Sequence, residues 1–163
     1  MKPDRQFLLA HPAHFIALGM GAGLARHAPG TWGTLVAFPL FWLASLIPLT
    51  GAMGVLVLFL FMVGVWAAAR TGQDCGIADH GSIVIDEIAA FFLVLIFTPP
   101  RWSWYGVAFL LFRLFDIWKP WPIRYFDRSL KGGFGVMFDD LLAAVFSIAA
   151  LFLLRHLIEG AVS

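Results

Sequence analysis

Charge is scarce in this sequence. Asp, Glu, Lys and Arg make up 13% of its 163 residues, against 61% hydrophobic. Soluble domains hold about a quarter charged and about half apolar residues. This balance excludes an ordinary soluble domain. It points to an integral membrane protein of one domain over residues 1–163, with the lipid bilayer as its surroundings. An excess of one sign is also missing. The formal net charge is +1, and without a diffuse basic surface a nucleic-acid partner is excluded. Cysteine is reduced to Cys75, which excludes an internal disulfide and a Cys-based zinc site. No internal repeat or low-complexity segment is present. Lys2 and Arg5 precede Phe7-Leu8-Leu9-Ala10, but His11, Pro12 and His14 break the apolar run, a poor pattern for a secretory leader. The stretch reads as a retained interfacial segment.

What is present in quantity is apolar run. The expected fold is all-α, a small polytopic membrane bundle of about five membrane-embedded helices. The spans are Leu35–Leu49, Ala52–Ala69, Ile83–Thr98, Trp102–Trp118 and about Asp139–Leu157. Thr50-Gly51 should form a tight turn between the first two, and Arg26 to Thr34 reads as a loop from its Pro and Gly content. The third and fourth spans are shorter than the ~20 residues an upright helix needs to cross a bilayer. Their charged ends therefore belong in a wetted, protein-lined pocket at one surface.

Orientation follows from Lys and Arg placement. With the N-terminus inside, every one of the 11 lysines and arginines except Arg101 and Arg155 falls inside, and so does every one of the 10 carboxylates except Glu159. The charge-rich stretches then meet at one membrane face, the cytoplasmic one.

Four stretches carry chemistry. In Asp79-His80-Gly81-Ser82-Ile83-Val84-Ile85-Asp86-Glu87, two carboxylates enter an apolar helix, and charges at membrane depth are costly and usually functional. His80 is a candidate proton carrier, or a loop residue beside caps at Asp79 and Ser82. The stretch from Phe112 to Arg128 sets Arg113, Asp116, Lys119, Arg124 and Arg128 among aromatic residues suited to the headgroup layer. Pro120 disfavours helix at Lys119, so that helix should stop near Trp118, and Pro122 suits the first position of a short helix. Arg113 and Asp116, three apart, share a face and read equally as a structural ion pair. In Lys131 to Asp140, a glycine-rich loop with Gly133 feeds a helix starting at Asp139 and Asp140, which can ligate a hard cation or cap the helix. In Pro29 to Thr34, Thr31, Thr34 and glycine amides line a phosphate pocket, or serve a turn and close packing. Carboxylates and cations converging at headgroup height suit metal-assisted phosphoryl chemistry on a lipid. The other reading is a small transporter or assembly protein with intramembrane carboxylates as ion sites. The one-sided charge and the lack of an inverted repeat speak against it.

Pro-Gly-Thr-x-Gly-Thr at Pro29–Thr34, the Asp79–Glu87 stretch, Phe-Arg-x-Phe-Asp-Ile-Trp-Lys-Pro-Trp-Pro-Ile at Phe112–Ile123 and Gly-Gly-x-Gly-Val-Met-x-Asp-Asp at Gly132–Asp140 together resemble the phosphatidylglycerophosphatase A family of bacterial membrane lipid phosphatases. The resemblance runs in order from Gly19 to Ala144. It implies Mg²⁺-dependent removal of phosphate from a phospholipid, phosphatidylglycerophosphate, to leave phosphatidylglycerol. It implies Asp86, Glu87, Asp139 and Asp140 as metal-site acids, with Asp116 a further candidate. Arg113, Lys119, Arg124 and Arg128 become phosphate and headgroup contacts.

Overall fold

The computed structural model describes residues 2–47 and 52–162, and among these the chain is helical with no β-strand. The expected Thr50-Gly51 turn, and the last residues of the first expected span, lie outside the described residues. The helices are α1 (Arg5–Ala10), α2 (Pro12–Ala17), α3 (Pro29–Ser45), α4 (Ala52–Cys75), α5 (Ile85–Ile96), α6 (Trp102–Trp118), α7 (Ile123–Ser129) and α8 (Gly132–Val162), with a 3-10 segment at Gly19–Leu24.

The core forms around α5. It is only 12 residues long, and Ile85, Ile88, Ala89, Ala90, Phe91, Phe92, Val94 and Leu95 are all buried. A helix apolar on every side belongs inside a bundle. Helices α3, α4, α6 and α8 pack around it. Phe91 is enclosed by ring edges of Phe38 and Phe109 and tilts against Phe112. Among the described residues, two helical stretches are long and apolar enough to cross a membrane, Met53–Cys75 and Gly132–Gly160. Helices α3 and α6 have 17 residues each. Large apolar side chains face outward on all of these: Leu43, Leu58, Leu110 and Leu153 are exposed.

The N-terminal segment is fastened to the bundle. Asp4 caps α1, accepting from the Phe7 amide at 2.8 Å, and Pro12 opens α2 at a position where its missing N–H costs nothing. Buried His14 stacks on Phe7 and contacts the Phe7 carbonyl and Asp74 of α4, each at 2.9 Å. Asp74 also accepts from Arg70 at 2.8 Å.

Two expected loops are helix instead. The Pro29–Thr34 stretch is the first turns of α3, because Pro29 suits the first helical turn. The Lys131–Asp140 stretch is mostly the first two turns of α8, which starts at Gly132. Asp139 and Asp140 therefore sit inside that helix, not at its start. Gly133 is a packing residue: a Cβ there would land on the Val65 carbonyl of α4 and 2.7 Å from the Ala69 amide nitrogen. The missing side chain lets the two longest helices touch backbone to backbone.

Gly133→Val should therefore lower the melting temperature of the detergent-purified protein by several degrees, since overpacking costs about 1–3 kcal/mol. Gly54→Ala in α4, where an added Cβ meets nothing within 4 Å, is the control and should leave Tm unchanged or slightly raised. Equal melting of all three proteins would show that α4 and α8 do not approach at Gly133.

Candidate active site

The site assembles where α3 and α5 begin, α6 ends and α8 passes. The Val84 amide donates to the Ala17 carbonyl at 2.8 Å, which anchors the entry to α5. The first turn of α5 then carries Asp86 and Glu87 into the bundle. Asp140 reaches them from α8, and one carboxylate oxygen from each of the three lies within 4.8 Å of the other two. Asp86 and Asp140 are 8% and 3% exposed. Asp86 Oδ1, Glu87 Oε2 and Asp140 Oδ2 are buried without a hydrogen-bond partner among the described residues. Buried carboxylate oxygens without partners are costly. An all-oxygen donor set of this kind fits a hard divalent cation.

Asp139 does not join the three. Neighbouring helical residues point about 100° apart, and with Asp140 aimed at Asp86 and Glu87, Asp139 faces the α6–α7 corner. There it accepts a hydrogen bond from Lys119 Nζ. Lys119 also donates to Asp127 of α7 at 2.7 Å. Burial works against the charge of Lys119, but its hydrogen bonds to Asp127 and Asp139 outweigh it and hold its pKa well above the ordinary value. Burial likewise works against charge on Asp127, but the Lys119 hydrogen bond holds its carboxyl below the usual range. The backbone at Lys119 is left-handed, with φ 46° and ψ 64°, a conformation a side chain usually avoids. Helix α6 ends at Trp118, as Pro120 requires. The Lys119 amide still closes the last turn on the Phe115 carbonyl at 2.9 Å.

Arg113 is the second cation. It pairs with Asp116, lies 3.6 Å from Glu87 Oε1 and 3.5 Å from Thr34 Oγ1. Thr34 in turn donates to the Gly30 carbonyl at 2.9 Å. A Cβ on Gly30 would occupy the place of Glu87 Oε1 and come within 3.1 Å of Arg113 Nη1. Glycine at position 30 is therefore a condition for α3 to close over the site. Five carboxylates, Asp86, Glu87, Asp116, Asp139 and Asp140, face two cations, Arg113 and Lys119, which leaves an excess of negative charge if all are ionised.

Other expected site residues lie elsewhere. His80 is half-buried in a turn. Its Nδ1 accepts from the Ser82 amide at 3.2 Å, and no carboxylate among the described residues hydrogen-bonds to it. Thr31 is half-buried one turn before Thr34 on α3. Gly133 belongs to the α4–α8 contact. Arg124 and Arg128 are exposed and face a groove on the outer side of α7 that none of the five carboxylates lines. Residues the sequence reading did not single out for the site are Asp127 and Gly30. An acid between two arginines on a short helix was a signal for the first; the second lay in the Pro29–Thr34 motif, where its close-packing reading is the one the structure bears out.

Comparison with known proteins gives the relatives of the chain. The family model described as phosphatidylglycerophosphatase A matches residues 15–155. The chain is 40% identical over 149 residues to the phosphatidylglycerophosphatase A of Escherichia coli K12, covering 91% of this chain and 86% of that one. It is 43% identical over 157 residues to the Haemophilus influenzae Rd protein of the same name, covering 94% and 95%. A Bacteroides thetaiotaomicron protein provisionally named as a phosphatidylinositol-3-phosphatase is 40% identical over 152 residues, covering 88% and 93%. No solved structure matches the chain.

The Arg113–Asp116 pair is testable by a double-mutant cycle. Arg113→Ala strands Asp116 and Glu87 as buried, uncompensated acids, so it should destabilise the purified protein more than Arg113→Ala/Asp116→Ala relative to the Asp116→Ala background. The expected coupling is about 0.5–3 kcal/mol, read from thermal or denaturant unfolding. Additive losses would show that the two side chains are independent.

Proposed function

The chain belongs to the phosphatidylglycerophosphatase A family, and from that membership we propose that it removes the terminal phosphate of phosphatidylglycerophosphate, giving phosphatidylglycerol and inorganic phosphate, with Mg²⁺ held by Asp86, Glu87 and Asp140 at the cytoplasmic membrane face. The single observation that carries the metal reading is the set of three carboxylates, each with a buried unpartnered oxygen, whose ligand atoms lie within 4.8 Å of one another. When bound, the ion supplies Lewis-acid polarisation of a phosphoryl oxygen and neutralises developing charge.

The chain's own residues do the rest. Arg113 and Lys119 are cations already oriented by Asp116, Asp127 and Asp139, so little reorganisation is needed when phosphate oxygens arrive. Thr34 and the Gly30 turn close the wall behind Arg113, with Thr31 on the same helix. The bond from phosphorus to the glycerol oxygen breaks and one from phosphorus to a water oxygen forms. The water's proton passes to a carboxylate of the cluster, and the departing glycerol oxygen takes up a proton. We favour this route over attack by an aspartate, because the clustered carboxylates serve more simply as ligands and bases than as one nucleophile with spectators. A phosphate monoester carries nearly two charges at neutral pH and suits this site better than a diester. The third relative's name also denotes a lipid phosphomonoesterase, so the shared chemistry is removal of a monoester phosphate from a lipid.

The membrane reading places α3, α4, α5, α6 and α8 in the bilayer with the N-terminus inside. It is supported by the two long apolar helices, by the exposed Leu and Trp side chains, which soluble monomers rarely gather in such number, and by the meeting of Asp86, Glu87, Arg113, Asp116, Lys119, Asp139 and Asp140 where α5 begins and α6 ends. The short α5 is then a half-depth helix, enclosed by its neighbours, which need not span.

Chelation with EDTA should abolish phosphate release and Mg²⁺ should restore it, with Ca²⁺ a poor substitute because it relaxes the octahedral geometry. Asp86→Asn or Asp140→Asn should remove Mg²⁺ binding measured by calorimetry. Arg113→Ala or Lys119→Ala should lower kcat/KM by about 10²-fold, the scale of losing one preorganised donor. Full activity after exhaustive chelation would end the metal reading. In a single turnover with enzyme in excess, ¹⁸O from solvent should appear in the released phosphate, and a hydroxylamine-sensitive phosphoenzyme would instead favour the aspartate.

Topology is tested separately. A cysteine at Ser129, in a variant lacking Cys75, should be protected from a membrane-impermeant thiol reagent in intact cells and label after permeabilisation. Ready labelling in intact cells would invert the orientation.

A further inference from the structure

We propose that the groove between the α6–α7 corner and the outer face of α7 binds the phosphodiester headgroup of an anionic phospholipid of the surrounding bilayer, as a site separate from the carboxylate cluster. The groove encloses about 550 Å³ and is lined by Trp118, Trp121, Arg124, Tyr125, Arg128 and Ser129, among others. It shares no lining residue with the cluster, so the inference rests on the membrane reading but not on the phosphatase reading.

Charge selects the occupant. Arg124 and Arg128 are four apart on α7 and share a face. Neither is paired with a carboxylate among the described residues; the one contact is Arg124 Nη2 donating to the Trp118 carbonyl at 3.2 Å. The acid between them, Asp127, is engaged by Lys119 at 2.7 Å and does not line the groove. The groove therefore presents guanidinium groups with no compensating charge, and guanidinium matches phosphate oxygens in geometry as well as charge. A zwitterionic headgroup would bring its own ammonium against these cations.

The apolar surroundings select a lipid over free phosphate. Trp118, Trp121 and Tyr125 are 60%, 81% and 60% exposed, an unusual display unless the rings sit in a headgroup layer. Below them on α6, Leu110 and Leu114 are also exposed and step at i, i+4 towards Trp118, so they form one stripe. An acyl chain lying on that stripe would place its headgroup at Arg124 and Arg128.

The test uses the full-length protein in an uncharged detergent, titrated with phosphatidylserine or phosphatidylcholine brominated on the acyl chains, with tryptophan emission as the readout. Phosphatidylserine is anionic and is not the product of the proposed reaction. Of the 7 tryptophans, those outside the groove give a background common to both lipids. Phosphatidylserine should reach half-maximal quenching at about 30-fold lower mole fraction, the scale two basic residues near an anionic surface provide. Arg124→Gln/Arg128→Gln should move it to the phosphatidylcholine level while quenching by phosphatidylcholine stays unchanged, which also shows that the variant is folded. Arg124→Lys/Arg128→Lys should keep part of the preference. Equal quenching of the natural protein by the two lipids would overturn the proposal, and so would a preference that survives the glutamine variant. Displacement of the brominated lipid by inorganic phosphate alone would assign the groove to free phosphate and overturn it as well.

Discussion

The first turn of α5 sets the terms for the rest of the molecule. It brings Asp86 and Glu87 into the middle of an apolar bundle, where an uncompensated charge costs several kcal/mol. Each neighbouring element responds to that cost. Helix α6 ends on Arg113 and Asp116, α3 begins on a glycine that leaves room for Glu87, and α8 contributes Asp140. Acids still outnumber cations around the cluster. An arrangement that gathers carboxylates without neutralising them is costly as a purely structural device, and that cost is what the proposed metal site would relieve.

The cations divide by environment. Arg113 and Lys119 are held by carboxylates inside the bundle, and the left-handed backbone at Lys119 turns its side chain back between α7 and α8. Unfavourable backbone geometry tends to persist where function over-determines it. Arg124 and Arg128 lie one helix further out and line an open groove with Trp118, Trp121 and Tyr125. Chemically similar residues only a few positions apart are thus held in different surroundings, one pair inside the bundle and the other at its surface.

The large elements were readable in the chain, and so were the stretches that supply Asp86, Glu87, Arg113, Lys119 and Asp140. The Trp102–Trp118 helix and its stop before Pro120, the short helix after Pro122, and the charged entry to α5 all follow from local rules. Two proline- or glycine-rich stretches read as loops and proved to be helix. Pro29 and the glycines at 30, 33 and 133 are there for helix starts and for backbone approach, and a composition rule does not distinguish that from a loop.

By itself the sequence determined that the chain is helical, apolar throughout, and charged mainly in a few stretches that orientation puts together, because hydrophobicity, proline stereochemistry and helical spacing are local properties. Which acids share one point was decided only by the tertiary structure. Asp139 and Asp140 are equivalent as residues, yet the 100° step along a helix gives Asp140 to Asp86 and Glu87 and Asp139 to Lys119. The same step turns Arg128 towards the outer groove and leaves its neighbour Asp127 to Lys119. Directions of this kind exist only once α5, α7 and α8 are packed at fixed angles, and no pattern along the chain contains them.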